Sequence, residues 1–172
     1  MNDDGHARFS AQVLPHLDAA YNLARWLVRD AHDAQDVVQD ALVRALRHFD
    51  GFRGGDPRPW LLAIVRNAAF AWLGARRPGD AEVPDDELDA ALAGDAPPAD
   101  PESLAIRRAQ RREIDAAIAA LPIVFREAVV LRELEDLSYR DIARITDVPI
   151  GTVMSRLSRA RHLLAIALRS PT

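Results

Sequence analysis

Residues Leu137 to Arg161, LSYRDIARITDVPIGTVMSRLSRAR, constrain this chain more than any other stretch. Ser138 is placed to cap a short helix that carries Ile142, Ala143 and Ile145 on its inner side. The small Ala143 lets a second helix come close. Thr146-Asp147-Val148 breaks the pattern, and Asp147 stands where a tight turn calls for positive φ, which Asp tolerates better than most residues. Pro149 suits the first turn of the following helix, where its missing N–H is no loss. Val153, Leu157, Ala160 and Leu164 then recur at helical spacing as a core face. Thr152, Ser155, Arg156, Ser158, Arg159 and Arg161 lie opposite them. An arginine-rich amphipathic helix is usually just a solvated face. Here the whole order matters: cap, short helix, polar turn, Pro, then a helix without an acid from Pro149 to the last residue. That order describes a helix-turn-helix whose second helix enters the major groove, with hydroxyls and arginines for phosphates and base edges.

The rest of the chain reads as helix throughout, with no period-two strand signal and no repeat. Residues 1–8 look frayed. From Phe9 to Val28 apolar residues recur at helical spacing, with a kink or a new start expected near Pro15. Asp30 to Asp33 is a polar break that can cap the helix Asp33–Phe49. That helix buries Val37, Val38, Ala41, Leu42, Ala45 and Leu46. It shows Asp36, Gln39, Asp40 and Arg44 outward, a solvated face or a docking surface. Asp50 to Pro59, DGFRGGDPRP, is a loop by its Gly and Pro content. Its Phe52, Arg53 and Arg58 either grip an unstacked base and its phosphates or, for Phe52, fold into the core. Trp60 to Ala75 is strongly apolar, interrupted by the adjacent Arg66 and Asn67, which point in related directions and either satisfy a loop or contact DNA. Beyond a linker, helices are expected from Ser103 to Leu121 and, after Pro122, from Val124 to Leu134 with Phe125, Val129, Val130 and Leu134 inward.

A net charge of −4 seems to argue against nucleic acid until it is divided along the chain. Residues 1–77 carry a net +1, residues 78–102 a net −9 with no arginine, and residues 103–172 a net +4. The basic block is the one that holds the helix-turn-helix. The expected architecture is all-α: two small helical domains, 9–77 and 103–170, joined by a flexible acidic linker over 78–102, in which Glu87 to Leu92 form at most a helical turn. There is no cysteine, so disulfides and thiolate metal sites are excluded. The five histidines are scattered without metal-ligand spacing, and no nucleophile motif or phosphate-cradling glycine loop is present. We therefore expect no catalytic residues, no metal and no cofactor. No apolar run reaches the length of a membrane span and the amino terminus is too polar for a signal peptide, so a cytoplasmic protein without membrane insertion is expected.

Three segments in this order resemble the extracytoplasmic-function group of bacterial RNA polymerase sigma factors. DAQDVVQDALVRAL is similar to that family's polymerase-docking helix. FRGGDPRPWLLAIVRNAA is similar to its −10 promoter segment, and LPIVFREAVVLRELEDLSYRDIARITDVPIGTVMSRLSRAR to its −35-binding domain. The resemblance spans about Phe9 to Leu168. It implies a transcription initiation factor that carries core RNA polymerase to specific promoters. Asp36, Gln39, Asp40 and Arg44 would bind the clamp coiled coil of the largest subunit, and the second domain would meet the flap region. Phe52, Arg53, Arg66 and Asn67 would hold melted −10 DNA. Thr152, Met154, Ser155, Arg156 and Arg159 would read the −35 element. The acidic linker would thread towards the RNA exit path. With no appended sensory domain expected after Leu168, control would fall to a cognate anti-sigma factor.

Two residues depart from the family pattern. Met154 stands where Lys or Arg is usual, so a phosphate or base contact is exchanged for an apolar one, such as to a thymine methyl. Asp147 replaces the common Gly of the turn. The alternative reading is a stand-alone dimeric helix-turn-helix repressor, which would bind duplex sites without a polymerase and would leave the apolar 60–75 helix and the acidic 33–49 face without a role.

Overall fold

The computed structural model describes residues 3–76 and 100–169, and among these every regular element is a helix. The expected linker, with its helical turn at Glu87–Leu92, lies almost entirely outside the described residues. The first unit is built from α1 (Asp3–Val13), α2 (Leu17–Val28), α3 (Ala31–His48) and α4 (Pro57–Ala75). The second is built from α5 (Pro101–Ala119), α6 (Ile123–Val129), α7 (Tyr139–Thr146) and α8 (Ile150–Arg169). Helices α2, α3 and α4 pack on one another around Leu23, Leu27, Val37, Ala41, Leu61 and Val65; α6, α7 and α8 pack around Leu131, Ile142, Val153 and Leu157. The two sets of buried residues form one continuous core, because α4 packs on α7 and α2 on α6.

Four of the described helix starts share one local device. Asp30, Asp56, Asp100 and Ser138 each have extended backbone and accept backbone N–H groups of the first turn with their side-chain oxygens. Twice the cap is followed by proline, at Asp56-Pro57 and Asp100-Pro101, where the pre-set φ begins the helix. This device moves two boundaries from where the periodicity put them. The expected loop 50–59 ends at Asp56, so Arg58 belongs to the first turn of α4. Helix α5 begins at Pro101 rather than at Ser103, whose backbone N–H and hydroxyl both donate to Asp100 at 3.0 and 2.7 Å. Two of the ends use left-handed residues. Arg29 closes α2 at φ 63°, and Asp147 closes α7 at φ 54°, as its place in the turn requires.

Two further expectations are corrected, and one is met. Residues 3–8 are helical, not frayed: Asp3 and Asp4 sit favourably in the first turn of α1, and Phe9 and Val13 anchor it in the core. Pro15 does interrupt the first run, as a short 3₁₀ turn at Leu14–His16 between α1 and α2. Leu134 is 36% exposed rather than inward. Helix α6 passes at Val130 into a π-turn, Val130–Leu134, in which Glu135 N–H donates to Val130 O at 3.0 Å. That extra residue rotates Leu134 outward and leaves Leu131 and Leu137 as the buried positions.

Candidate nucleic-acid and partner interface

In α8, Val153, Leu157 and Ala160 are buried against the rest of the second unit. Their burial fixes what the helix can present. At 100° per residue, Thr152, Ser155, Arg156 and Arg159 fall within roughly 100° of arc on the side away from that core. Ser155 and Arg159 are exposed, and Thr152 and Arg156 half-buried. Met154 is 51% exposed but lies on the flank with Ser158 and Arg161, apart from the other four. Arg161 is engaged there by Glu133, at 2.8 Å, a contact that raises the arginine's pKa and holds its charge. Leu164 is only half-buried, and around it Leu163, Ile166 and Leu168 are exposed, as are Ile106 and Ile114 of the neighbouring α5.

The turn before α8 has the expected geometry with one adjustment. Ser138 Oγ accepts from Asp141 N–H at 3.1 Å, and Val148 N–H returns to Ala143 O across Asp147. Pro149 lies just ahead of the helix rather than inside its first turn; its carbonyl accepts from Thr152 and Val153.

In α3, Asp36, Gln39, Asp40 and Arg44 share the outer side, Asp36 half-buried and the others exposed. Asp40 and Arg44 pair with each other at 2.8 Å across one turn. Sequence reading missed Val43, 48% exposed in the middle of this face. Its signal was an apolar residue standing outside the buried stripe.

The −10 candidates do not form one cluster. Phe52 is half-buried in an aromatic group, 6.0 Å from Phe49 and 5.0 Å from Trp60 between ring centroids. It thereby anchors the loop that holds Arg53 and Gly54-Gly55 exposed, both glycines at φ near 90°. Arg66 and Asn67 diverge, since neighbours on a helix point about 100° apart. Asn67 is exposed, whereas the Arg66 side chain is only 19% exposed. Its guanidinium lies 4.1 Å from the Phe70 ring centroid and donates through Nε to both carboxylate oxygens of Glu127 at 3.3 Å.

Glu127 is the residue that sequence reading most conspicuously missed. It belongs to the second unit and is wholly buried. Desolvation pushes its carboxyl pKa above the ordinary 4.5, opposed by the charge and hydrogen bond of Arg66 and by the charge of Arg156. A −10 candidate and a −35 candidate thus act on the same carboxylate. Nearby, Glu135 accepts from Asn22 Nδ2 at 2.7 Å and pairs with Arg58 at 2.7 Å, and Arg58 also donates to the Glu135 carbonyl. Arg126, also buried, donates to the carbonyls of Trp26 at 3.1 Å and Leu121 at 3.1 Å. The available signal was a charged pair, Arg126-Glu127, inside an otherwise apolar run.

Among the described residues no group of three His, Asp or Glu could hold a metal ion, and no helix is long and apolar enough to cross a membrane.

Residues 13–78 match the model of sigma-70 region 2, and residues 111–164 match that of sigma-70 region 4. This chain belongs to the sigma-70 family, in its extracytoplasmic-function group. It is 37% identical over 167 residues to the RNA polymerase sigma-H factor of Pseudomonas aeruginosa, covering 94% of this chain and 86% of that one. It is 40% identical over 137 residues to the ECF RNA polymerase sigma-E factor of Escherichia coli K12, covering 77% of this chain and 72% of that one. In structure, this sigma factor is similar to the sigma factor RpoE of Bartonella quintana, solved in complex with the anti-sigma factor NepR. The TM-score is 0.68 at 26% identity, over 96% of this chain and 99% of that one. The fold is also that of CnrH, solved with the cytosolic domain of CnrY, with a TM-score of 0.67 at 23% identity over 97% and 91% of the two chains.

Proposed function

We propose that this sigma factor initiates transcription by docking on core RNA polymerase and delivering it to promoters, with −10 and −35 elements bound by separate units of the chain. The observation that carries the reading is the joint presence, in order, of a region 2 match and a region 4 match, the latter ending on an acid-free helix that turns Ser155 and Arg159 to solvent. In this reading residues 9–77 and 103–170 are the two functional domains, and 78–102 is the tether. The α3 face with Asp36, Gln39, Asp40, Arg44 and Val43 meets the polymerase clamp coiled coil. The exposed apolar residues of α5 and the end of α8 suit the flap region.

Duplex −35 DNA is read by Thr152, Ser155, Arg156 and Arg159, with Met154 at the edge of the contact. Arg53, exposed in the loop held by Phe52, and Asn67, exposed on α4, meet melted −10 DNA together with Arg66. Two weak DNA contacts become a tight one when a single polymerase holds both units, because tethering raises effective concentration. The chain performs no chemistry of its own in this scheme, works in the cytoplasm and needs no cofactor. The Bartonella relative, solved with an anti-sigma factor, supports control by a separate anti-sigma factor.

The test is in vitro transcription with purified core polymerase on the promoter of the protein's own operon. A start site that depends on this chain is expected. Failure of the chain to bind core polymerase, combined with tight and salt-insensitive binding to duplex DNA as a symmetric dimer, would overturn the proposal in favour of a repressor.

A further inference from the structure

We infer that Phe9 of α1 is a positioning residue for promoter recognition: its ring braces Phe49, and through Phe49 and Phe52 it holds the 50–56 loop in the shape that presents Arg53. That this presentation serves −10 DNA rests on the proposed function; that Phe9 orders the loop does not.

The loop has little to hold it from within. Arg53, Gly54 and Gly55 are all exposed, and the two glycines sit at φ 88° and 90°, where only glycine moves freely. A Cβ added to either would meet nothing within 4 Å, so no packed group lies against them. What fixes the loop lies at its two ends. At one, Asp56 caps α4 and accepts the Arg58 N–H at 3.0 Å. At the other, Phe49–Gly51 form a 3₁₀ turn, and Phe52 N–H donates to Phe49 O at 2.9 Å. Arg53 follows Phe52 directly, so its place depends on where the Phe52 ring is held.

That ring is held by other rings. Phe52 lies 5.0 Å from Trp60 of α4 and stacks on Phe49 at 6.0 Å with 20° between the planes. Phe49 is buried, and Phe9 meets it at 5.4 Å and 89°. This is the edge-to-face arrangement, in which the positive rim of one ring meets the negative face of the other. The adjacent Arg8 places its guanidinium over the same Phe49 ring, 5.7 Å from the centroid, where a cation is also attracted. Two successive residues of α1 thus converge on Phe49. The rings run from α1, which takes no part in the proposed contacts, to the residue beside Arg53. A loop already held in its binding shape loses less freedom on binding than one its ligand must order. Any fraction of time spent out of that shape lowers affinity in proportion.

Phe9→Leu in the full-length chain keeps an apolar side chain in the core and removes the ring. Trypsin reports on the loop directly, because the bond after Arg53 lies in its exposed part. Where opening is fast, cleavage tracks the population of the open form. Brief digestion followed by mass spectrometry should show cleavage after Arg53 about fivefold faster in the variant, the factor one aromatic pair is worth. Cleavage after Arg144, exposed on α7, should be unchanged. With core polymerase, the variant should bind a single-stranded −10 oligonucleotide about fivefold more weakly and a −35 duplex as before.

Equal acceleration at Arg53 and Arg144, or none at either, overturns the inference, since Phe9 would then be a core residue and nothing more. Should Phe9→Leu lose helicity, Phe9→Met repeats the test with a more adaptable side chain. Arg53→Ala separates the two claims. If it weakens −10 binding and Phe9→Leu does not, the positioning role is overturned. If it leaves −10 binding unchanged while Phe9→Leu still speeds cleavage after Arg53, the ordering of the loop stands and its part in −10 recognition is overturned. The cleavage measurement needs neither polymerase nor promoter, so failure of the transcription assay alone would refute only the functional assignment.

Discussion

Replacing Arg66 by methionine keeps most of the side-chain stem over Phe70 and removes the charge that faces Glu127. Glu127 stays buried, with only the more distant charge of Arg156 acting on it. A carboxylate in that position takes up a proton rather than remain ionised. Its ordinary value of 4.5 lies about 2.5 pH units below neutrality, so protonation at pH 7 costs up to about 3 kcal/mol. The unaltered protein already bears part of this cost, because burial raises the Glu127 pKa even with Arg66 present. The expected loss is therefore about 1–3 kcal/mol at pH 7, below the 3–5 typical of a broken buried pair.

The sign with pH follows from linkage. A carboxyl whose folded pKa is raised binds more proton folded than unfolded, so its contribution to stability falls as pH rises from 4.5 through the folded value. Arg66→Met raises that folded value further and widens the window. The destabilisation should accordingly shrink, by at most about 1.4 kcal/mol per unit, as pH falls from the variant's folded value towards that of the unaltered protein. Urea titrations at pH 5.5 and 7.0, with Glu127→Gln and the double variant completing a mutant cycle, measure this directly. A loss that is the same at both pH values, or that persists in full on the Glu127→Gln background, would refute the argument that the carboxylate's charge is what Arg66 sustains.

Further outcomes are expected at other positions. Arg156→Ala and Arg159→Ala should each weaken −35 duplex binding by the polymerase complex by about 1–3 kcal/mol with thermal stability largely retained; fluorescence anisotropy showing undiminished affinity in both would remove α8 as the reading helix. Asp40→Arg should lower affinity for core polymerase in a pull-down or titration, and unchanged affinity would place the docking face elsewhere on the chain. Asp30→Ala should lower stability by about 1 kcal/mol, because it deletes the carboxylate that accepts the Asp33 N–H at 2.9 Å at the start of α3; an unchanged urea midpoint would show that cap to be redundant.

The helical elements could be read because each is decided over a few turns. Ser138, Asp147 and the spacing of Val153, Leu157 and Ala160 encode their own local geometry, and α7, its turn and α8 follow it closely. Errors came where the local signal was ambiguous or overridden. Leu134 fits a helical stripe, but the π-turn shifts the phase behind it. Residues 3–8 are polar enough to read as frayed, yet Phe9 and Val13 dock the helix that contains them. Arg66 and Asn67 read as a pair because they are adjacent in sequence, while the turn of the helix sends one to Glu127 and the other to solvent.

By itself, then, the sequence determined an all-helical chain, the helix-turn-helix with its turn, the outer face of α3, and the division of charge about an acidic middle. Periodicity, capping and composition act through neighbours within four residues or sum along a segment, and so they survive without a fold. Only the tertiary structure decided that Glu127 and Glu135 reach Arg66 and Arg58, 61 and 77 residues away, and that the two units share a core. A buried ion pair leaves no periodic trace, because its partners are chosen by how whole helices pack, and the desolvation that gives the pair its energetic weight exists only once they have packed.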